Sequence, residues 1–225
     1  MLLKFELINK VRQSGVVAVI RGYNENNSYK TAEACIEGNI NAIELAFTSP
    51  DADITIRKLN EKYKANSKVI IGAGTVLDPD TARLAIVAGA KFIVSPSFNK
   101  ETAKLCNLYE IPYIPGCLTP TEVQLALTYG ADVIKAFPGS VVGMSIINEI
   151  HGPFPDVNIM PTGGISLSNM IEWFKKGAFV VGVGGSLVTP AKKDDYQKVT
   201  ENANKFHKKY IEYIKNRGDN YDTNN

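Results

Sequence analysis

A lysine interrupts the apolar segment Val133-Ile134-Lys135-Ala136-Phe137. Lysine is rarely buried, because its ammonium group loses its hydration in an apolar environment. Desolvation favours the neutral amine, which is the form that attacks a carbonyl carbon. The position of Lys135 therefore suggests a covalent nucleophile, although a lysine that binds phosphate or pairs with a buried carboxylate fits the same pattern.

A glutamate stands in a comparable place in the segment 42–47, Ala-Ile-Glu-Leu-Ala-Phe. Successive side chains of a strand point to opposite faces, so Glu44 shares a face with Ala42 and Ala46, which leave space beside it. A buried carboxylate is costly unless it is paired or hydrogen-bonded. Glu44 is therefore either half of a structural ion pair or a proton donor and acceptor that works beside Lys135.

Glycine-rich turns follow three of the apolar segments, at 72–76, 161–165 and 182–186. Glycine lets backbone N–H groups approach an anion closely, and the hydroxyls of Thr162 and Ser186 can add donors. The last two turns follow the seventh and eighth candidate strands, where barrel enzymes often hold a phosphate group. These turns predict the phosphate-binding end of a site.

Short apolar segments alternate with longer amphipathic ones along the chain. The apolar segments predict eight strands: 16–21, 42–47, 69–73, 92–95, 111–115, 133–137, 158–161 and 179–184. Helical patterns fill the gaps and flank the series: 2–13, 29–38, 51–64, 78–88, 100–109, 120–128, 143–150, 168–176 and 194–215. Near-continuous apolar strands separated by helices are typical of parallel βαβ units.

Eight such units predict an α/β fold, a (β/α)8 TIM barrel with an extra N-terminal helix, whose active site lies at the carboxyl ends of the strands. An open doubly wound sheet is the alternative, but it needs a glycine-rich loop after the first strand. Only Gly22 is found there. We expect residues 1–217 to form one domain and the polar segment 218–225 to be a frayed tail.

Composition excludes several classes of protein. The 25 basic and 23 acidic residues nearly balance, which argues against nucleic-acid binding. No apolar run approaches the roughly 20 residues that span a bilayer, and Glu6 interrupts any signal-peptide core, so we expect a cytoplasmic protein without a membrane partner. Two histidines and three scattered cysteines offer no plausible metal site, and we expect no metal or other cofactor.

Taken together, the motifs resemble those of the 2-keto-3-deoxy-6-phosphogluconate (KHG/KDPG) aldolase family from about residue 16 to residue 190. The shared motifs, in chain order, are Glu44, 72–76, Ser95-Pro96, 114–116, 135–138, 161–165 and 184–186. The resemblance implies a (β/α)8 barrel, a homotrimer, and a class I aldolase that uses a Schiff-base lysine and no metal. It also implies a small phosphorylated keto-acid substrate.

The resemblance also assigns roles to individual residues. It implies that Lys135 forms the Schiff base and that Glu44 is the general acid and base. Positions that match the pyruvate pocket are Thr75, Pro96 and Phe137. Positions that match the phosphate end are Thr162, Gly163, Gly164, Gly184, Gly185 and Ser186.

One substrate-binding position departs from the family pattern. The best-described branch of the family has a carboxylate-binding arginine four residues after the glutamate, and this chain has Thr48 there. Arg21, at the end of the first predicted strand, is a candidate to replace it. The alternative is that Arg21 pairs with a loop carboxylate such as Glu25. The galactonate-type relatives resemble this arrangement, which leaves the sugar acid open.

The leading expectation is cleavage of 2-dehydro-3-deoxy-6-phosphogluconate to pyruvate and glyceraldehyde 3-phosphate. Aldolases acting on the galactonate epimer or on 4-hydroxy-2-oxoglutarate are rivals in the same class. A phosphosugar epimerase or synthase is a further enzyme rival, but it would not need a strand-buried lysine. A non-catalytic phosphosugar-binding barrel is the alternative outside enzymes, and the presence of both Lys135 and Glu44 argues against it.

Overall fold

Parallel strands form the centre of the computed structural model, which describes residues 2–217. The strands are β1 Val16–Ile20, β2 Ala42–Ala46, β3 Ile70–Gly74, β4 Ile93–Val94, β5 Tyr113–Ile114, β6 Gly116–Cys117, β7 Val133–Ala136, β8 Asn158–Pro161 and β9 Val181–Val183. Every pairing between them is parallel. The expected frayed tail, 218–225, lies outside the described residues.

Helices alternate with these strands. They are α1 Leu3–Ser14, α2 Glu25–Glu37, α3 Ala52–Tyr63, α4 Pro79–Val87, α5 Lys100–Leu108, α6 Pro120–Thr128, α7 Gly139–Val142, α8 Ser145–His151, α9 Met170–Lys175, α10 Gly185–Val188 and α11 Tyr196–Arg217, with a 3-10 helix at Thr189–Lys193. Within residues 2–217, no helix is both long and apolar enough to cross a membrane.

The strands pair as a six-stranded sheet in the order β5-β4-β3-β2-β1-β9 and a three-stranded sheet in the order β6-β7-β8. Contacts join the two sheets on both sides. The Lys135 N–H donates to the Pro115 carbonyl at 2.8 Å, and the Phe179 N–H donates to the Ile159 carbonyl at 2.9 Å. The fold is α/β with a curled parallel sheet, consistent with a TIM-like barrel.

The fifth predicted strand differs from the prediction in its extent. It was expected at 111–115, but the extended segment runs from Tyr113 to Cys117 and is interrupted at Pro115, which separates β5 from β6. Proline has no N–H to donate to a ladder, so regular pairing breaks at that residue. The Pro115 carbonyl still accepts a hydrogen bond, which keeps β7 beside this segment.

Several helices begin where polar side chains cap them. Asp78 and Thr119 cap α4 and α6, and each is followed by a first-turn proline. Helix α2 begins at Glu25 rather than at residue 29, because the Asn24 side chain accepts the Asn27 N–H at 2.8 Å. The short helix α10, directly after β9, was not predicted.

The core lies between the strands and their helices. Phe92 and Phe206 are among its largest fully buried side chains, and α11 packs against α2. Cys35, Cys106 and Cys117 are all buried and free. Burial raises the pKa of the Cys106 and Cys117 thiols to about 12, so these thiols are inert at neutral pH.

Candidate active site

A cavity of about 710 Å³ opens at the carboxyl ends of the strands, and both Glu44 and Lys135 line it. Glu44 comes from β2 in the six-stranded sheet, and Lys135 comes from β7 in the three-stranded sheet. The curled arrangement of the strands therefore brings together two groups that are separated by 91 positions in the chain.

The carboxyl group of Glu44 is enclosed by the sheet. Glu44 is only 1% exposed, and neither of its carboxylate oxygens has a hydrogen-bond partner among the described residues. A Cβ atom at Gly74 would lie 2.0 Å from Glu44 Oε1, so only glycine at this position leaves space for the carboxylate. The alternation argument thus predicted the direction of Glu44 correctly, and Gly74 on the neighbouring strand makes room for it.

Burial sets the protonation of Glu44. It raises the pKa of the Glu44 carboxyl above its usual range, and the positive charges of Lys135 and Arg21 oppose that rise without cancelling it. A carboxyl group with a raised pKa keeps its proton closer to neutral pH and can therefore act as an acid there. An unpartnered buried carboxyl is costly to the fold, which favours a chemical role over a structural one.

The amine of Lys135 faces the same cavity. Its residue is 5% exposed, and its Nζ atom lies 4.8 Å from the centre of the Phe137 ring. Because the Glu44 oxygens accept no hydrogen bond from any described residue, Lys135 and Glu44 are neighbours without being locked in a tight ion pair. The amine is thus held in an apolar setting that leaves it available to an electrophile.

A third charged side chain enters the cavity from the end of β1. Arg21 Nη2 donates to Thr75 Oγ1 at 3.2 Å, and both residues line the cavity. Glu25, the alternative partner considered for Arg21, instead forms an ion pair with Lys58 at 3.1 Å. Thr48 is exposed and lies outside the cavity lining, and its expected substrate contact stays a prediction.

The predicted phosphate end is only partly in the cavity lining. Thr162, Gly184 and Gly185 line the cavity, whereas Gly163, Gly164 and Ser186 do not. Thr162 Oγ1 is buried without a hydrogen-bond partner among the described residues, and Gly182 is the neighbour that leaves it room. The Ser186 hydroxyl donates to the Ile165 carbonyl at 2.6 Å, so this bond holds the two glycine-rich turns together.

Pro96 and Phe137 complete the lining that the sequence predicted near Lys135. The sequence analysis missed a second group of lining residues: Tyr23, Asn27, Thr31, Val188, Thr189 and Lys192. They come from the loop before α2, the first turns of α2, the end of α10 and the 3-10 helix that follows it. The asparagine that caps α2 was the available signal, since an earlier helix start brings Asn27 and Thr31 to the cavity.

Metal chemistry has no ready-made ligand set in this part of the chain. Across residues 2–217, no three His, Cys, Asp or Glu side chains are grouped closely enough to hold an ion. The groups that line the cavity include the Lys135 amine, the Glu44 carboxyl group and the Arg21 guanidinium group. An amine and an unpaired carboxyl group at the carboxyl ends of parallel strands are the parts that a lyase of the Schiff-base class requires.

Comparison with known proteins identifies the family. The family model for KDPG and KHG aldolases matches residues 7–202, and the chain belongs to that family. A 2-dehydro-3-deoxy-phosphogluconate aldolase from Treponema pallidum is 34% identical over 200 residues, which cover 87% of this chain and 92% of the relative.

Solved structures agree. A structure of native KDPGal is 28% identical with a TM-score of 0.82, and the match covers 89% of this chain and 96% of that one. The KDPG aldolase of Legionella pneumophila is 29% identical with a TM-score of 0.80, covering 88% of this chain and 96% of that one. That enzyme was captured at low pH with pyruvate as a covalent carbinolamine intermediate.

Proposed function

We propose that this chain is a class I aldolase that cleaves 2-dehydro-3-deoxy-6-phosphogluconate to pyruvate and glyceraldehyde 3-phosphate. The observation that carries the proposal is the buried Lys135 amine in the same cavity as the unpartnered Glu44 carboxyl group. Family membership and the relative with a covalent pyruvate adduct support the same reaction class.

In the first half of the reaction, Lys135 Nζ attacks the C2 carbonyl carbon and forms a carbinolamine. The carbinolamine oxygen must gain a proton before it leaves as water, and Glu44 supplies that proton. The product is a protonated imine between Lys135 and the substrate. The raised pKa of the Glu44 carboxyl suits this step, because the group still holds a proton to give.

In the second half, the ionised Glu44 takes the proton from the C4 hydroxyl, directly or through one water molecule. The electron pair of the C3–C4 bond forms the C2=C3 double bond, the π pair of the protonated imine moves to nitrogen, and glyceraldehyde 3-phosphate leaves. The resulting enamine gains a proton at C3 and becomes the imine of pyruvate. Water then releases pyruvate and restores the Lys135 amine.

The remaining cavity residues orient the substrate in this proposal. Arg21 binds the substrate carboxylate, and Thr75, Pro96 and Phe137 enclose the pyruvyl part. The phosphate end consists of Thr162 with backbone N–H groups of the turns that contain Gly163, Gly164, Gly184, Gly185 and Ser186. The Thr162 hydroxyl lines the cavity and is buried without a hydrogen-bond partner among the described residues, which supports a ligand oxygen at this place.

The test of the proposal is reduction with borohydride in the presence of pyruvate and EDTA. We expect one pyruvate-derived adduct per chain, seen by intact mass spectrometry and mapped by peptide analysis to Lys135. A class I enzyme traps pyruvate whether or not chelator is present. An enzyme that traps nothing, or that loses activity in EDTA and regains it with Zn²⁺ or Mg²⁺, would not belong to this reaction class.

Arg21 gives a second, separate test. Replacing Arg21 with alanine removes the guanidinium group that faces Glu44 and Thr75, and we expect KM for pyruvate-containing substrates to rise about 10- to 100-fold, the range for a hydrogen bond to a charged group. Arg21→Lys should recover part of that loss. The control is Arg57→Ala, since Arg57 is exposed and pairs only weakly with Asp53 at 3.9 Å. An unchanged KM in Arg21→Ala would exclude the carboxylate role.

The galactonate epimer is the second candidate substrate. The observation that favours this candidate is that Arg21, directly after β1, lines the cavity, whereas Thr48, in the turn after β2, does not. The galactonate-type relatives resemble this arrangement. The values of kcat/KM for the two C4 epimers, measured side by side, decide between them. 4-Hydroxy-2-oxoglutarate belongs in the same comparison as the substrate without a phosphate group.

The assembly is also proposed. We propose that the two sheets form one closed (β/α)8 barrel, that residues 1–217 are a single domain, and that the protein is a cytoplasmic homotrimer. The parallel bridge between Thr162 and Gly182 supports closure on the side of β8 and β9. The homotrimer is the assembly that the resemblance to the aldolase family implies.

A further inference from the structure

The cavity has a cationic side chain in its lining that neither the motifs nor the proposed reaction use. Lys192 lies in the 3-10 helix Thr189–Lys193 and lines the cavity together with Thr189 and Ala191. Gly184 and Gly185, which belong to the proposed phosphate end, line the same cavity. Lys192 is exposed and forms no ion pair with any acidic residue in the range 2–217.

The acidic residue nearest to Lys192 in sequence is engaged elsewhere. The Asp194 carboxylate accepts hydrogen bonds from the hydroxyls of Tyr23 at 2.6 Å and Tyr196 at 2.5 Å, and from the side-chain amide of Asn27 at 3.3 Å. The bonds from Tyr196 and Tyr23 lower the pKa of Asp194, so this group stays ionised and saturated with donors. Its oxygens are occupied by these donors, and it forms no ion pair with Lys192.

The same contacts fix the segment that carries Lys192. The Asn27 side chain, which is 3% exposed, donates to the Ala191 carbonyl at 2.7 Å as well as to Asp194. The 3-10 helix is thus tied to the start of α2 on both sides of Lys192. A lysine on an anchored segment loses less conformational freedom on binding an anion than a lysine on a free loop does.

We propose that Lys192 is a specificity-determining residue that binds the distal anionic group of the substrate, a phosphate monoester, beside the backbone donors of the Gly184–Gly185 turn. This inference rests on the proposed function for the identity of the substrate. It goes beyond it by assigning preference for a phosphorylated substrate to one side chain. Arg21 and Lys192 line one cavity, so these two cationic side chains match the two anionic groups of a phosphorylated keto acid.

The adjacent Lys193 provides a matched control. It has the same charge, is also exposed, and does not line the cavity. The variants Lys192→Ala, Lys192→Arg and Lys193→Ala are assayed with 2-keto-3-deoxy-6-phosphogluconate and with its unphosphorylated form. For Lys192→Ala, we expect kcat/KM on the phosphorylated substrate to fall about 5- to 20-fold, mostly through KM, as one partly exposed charge contact allows.

The control measurements below follow if Lys192 contacts only the phosphate group of the substrate. Activity on the unphosphorylated substrate should stay within twofold, Lys192→Arg should restore most of the loss, and Lys193→Ala should match the wild type. Equal losses on both substrates would make Lys192 a structural residue and overturn the proposal. Equal losses in Lys192→Ala and Lys193→Ala would also overturn the proposal, because they would show a general effect of surface charge rather than a contact between Lys192 and the phosphate.

A binding measurement separates this inference from the proposed reaction. Calorimetric titration with 3-phosphoglycerate and with glycerate needs no turnover. If the wild type fails to trap pyruvate but binds 3-phosphoglycerate more tightly than Lys192→Ala does, the anion site stands and the aldolase proposal falls. If pyruvate is trapped and Lys192→Ala binds 3-phosphoglycerate as the wild type does, the aldolase proposal stands and the role of Lys192 is wrong.

Discussion

Replacing Lys135 with alanine is expected to abolish both cleavage and pyruvate trapping. The reaction proposed here runs entirely through the imine on Lys135 Nζ, and removal of a covalent nucleophile lowers turnover on the order of 10⁵- to 10⁶-fold. Lys135→Arg should be equally inactive, because a guanidinium group keeps the positive charge beside Glu44 but forms no imine. The measurement is single-turnover cleavage together with mass spectrometry after borohydride.

The controls must separate lost chemistry from lost folding. Lys135 is buried, so its removal also leaves the Glu44 carboxyl group without its nearest positive charge. Lys135→Met keeps much of the volume, and its thermal unfolding midpoint is measured alongside. A folded Lys135→Ala or Lys135→Met enzyme that cleaves substrate near the wild-type rate would remove Lys135 from the reaction.

Replacing Glu44 with glutamine should slow turnover by on the order of 10²- to 10⁴-fold, the usual contribution of a general acid and base. Glutamine fits the space that Gly74 leaves, but it neither donates a proton to the carbinolamine oxygen nor takes one from the C4 hydroxyl. Pyruvate should still bind, and trapping by borohydride should become slow rather than absent. An unchanged kcat would make Glu44 a structural residue.

The pH dependence of stability gives Glu44→Gln an independent readout. The pKa of the Glu44 carboxyl is raised in the folded protein, so the native state holds this proton more tightly than the unfolded state does. Its contribution to stability is present below the unfolded pKa, about 4.3 for glutamate, and is lost as pH rises through the folded pKa. Glu44→Gln should therefore gain stability relative to the wild type over that interval, as measured by denaturant unfolding at a series of pH values.

Glu44 and Lys135 could be singled out from the sequence because charged residues in apolar strands are rare. Alternation within 42–47 gave the inward direction of Glu44, and the apolar setting of Lys135 singled out its amine. Both arguments depend only on local periodicity, which the parallel strands of the structure preserve. The histidine and cysteine counts likewise needed no structure.

Other features depend on contacts between distant segments, which periodicity does not contain. The interruption at Pro115 was not predicted, because a strand pattern does not reveal which ladder bonds a proline removes. The exposed position of Thr48 follows from the turn after β2, and the bond from Ser186 to Ile165 follows from the meeting of two turns. Lys192 lines the cavity from a segment that Asn27 holds by a hydrogen bond to Ala191, far away in the chain.

Gly74 on β3 restricts which side chains fit at position 44 on the neighbouring strand β2. A methyl group at this position would occupy the volume of the Glu44 carboxylate, 2.0 Å from Oε1. A random library that varies one position at a time would therefore retain glycine at 74 for as long as it retains glutamate at 44. The shorter side chain of aspartate holds its carboxylate closer to the backbone. Gly74→Ala should therefore be accommodated together with Glu44→Asp, although Gly74→Ala alone would clash with Glu44. Redesign of this pocket therefore has to vary positions 44 and 74 together.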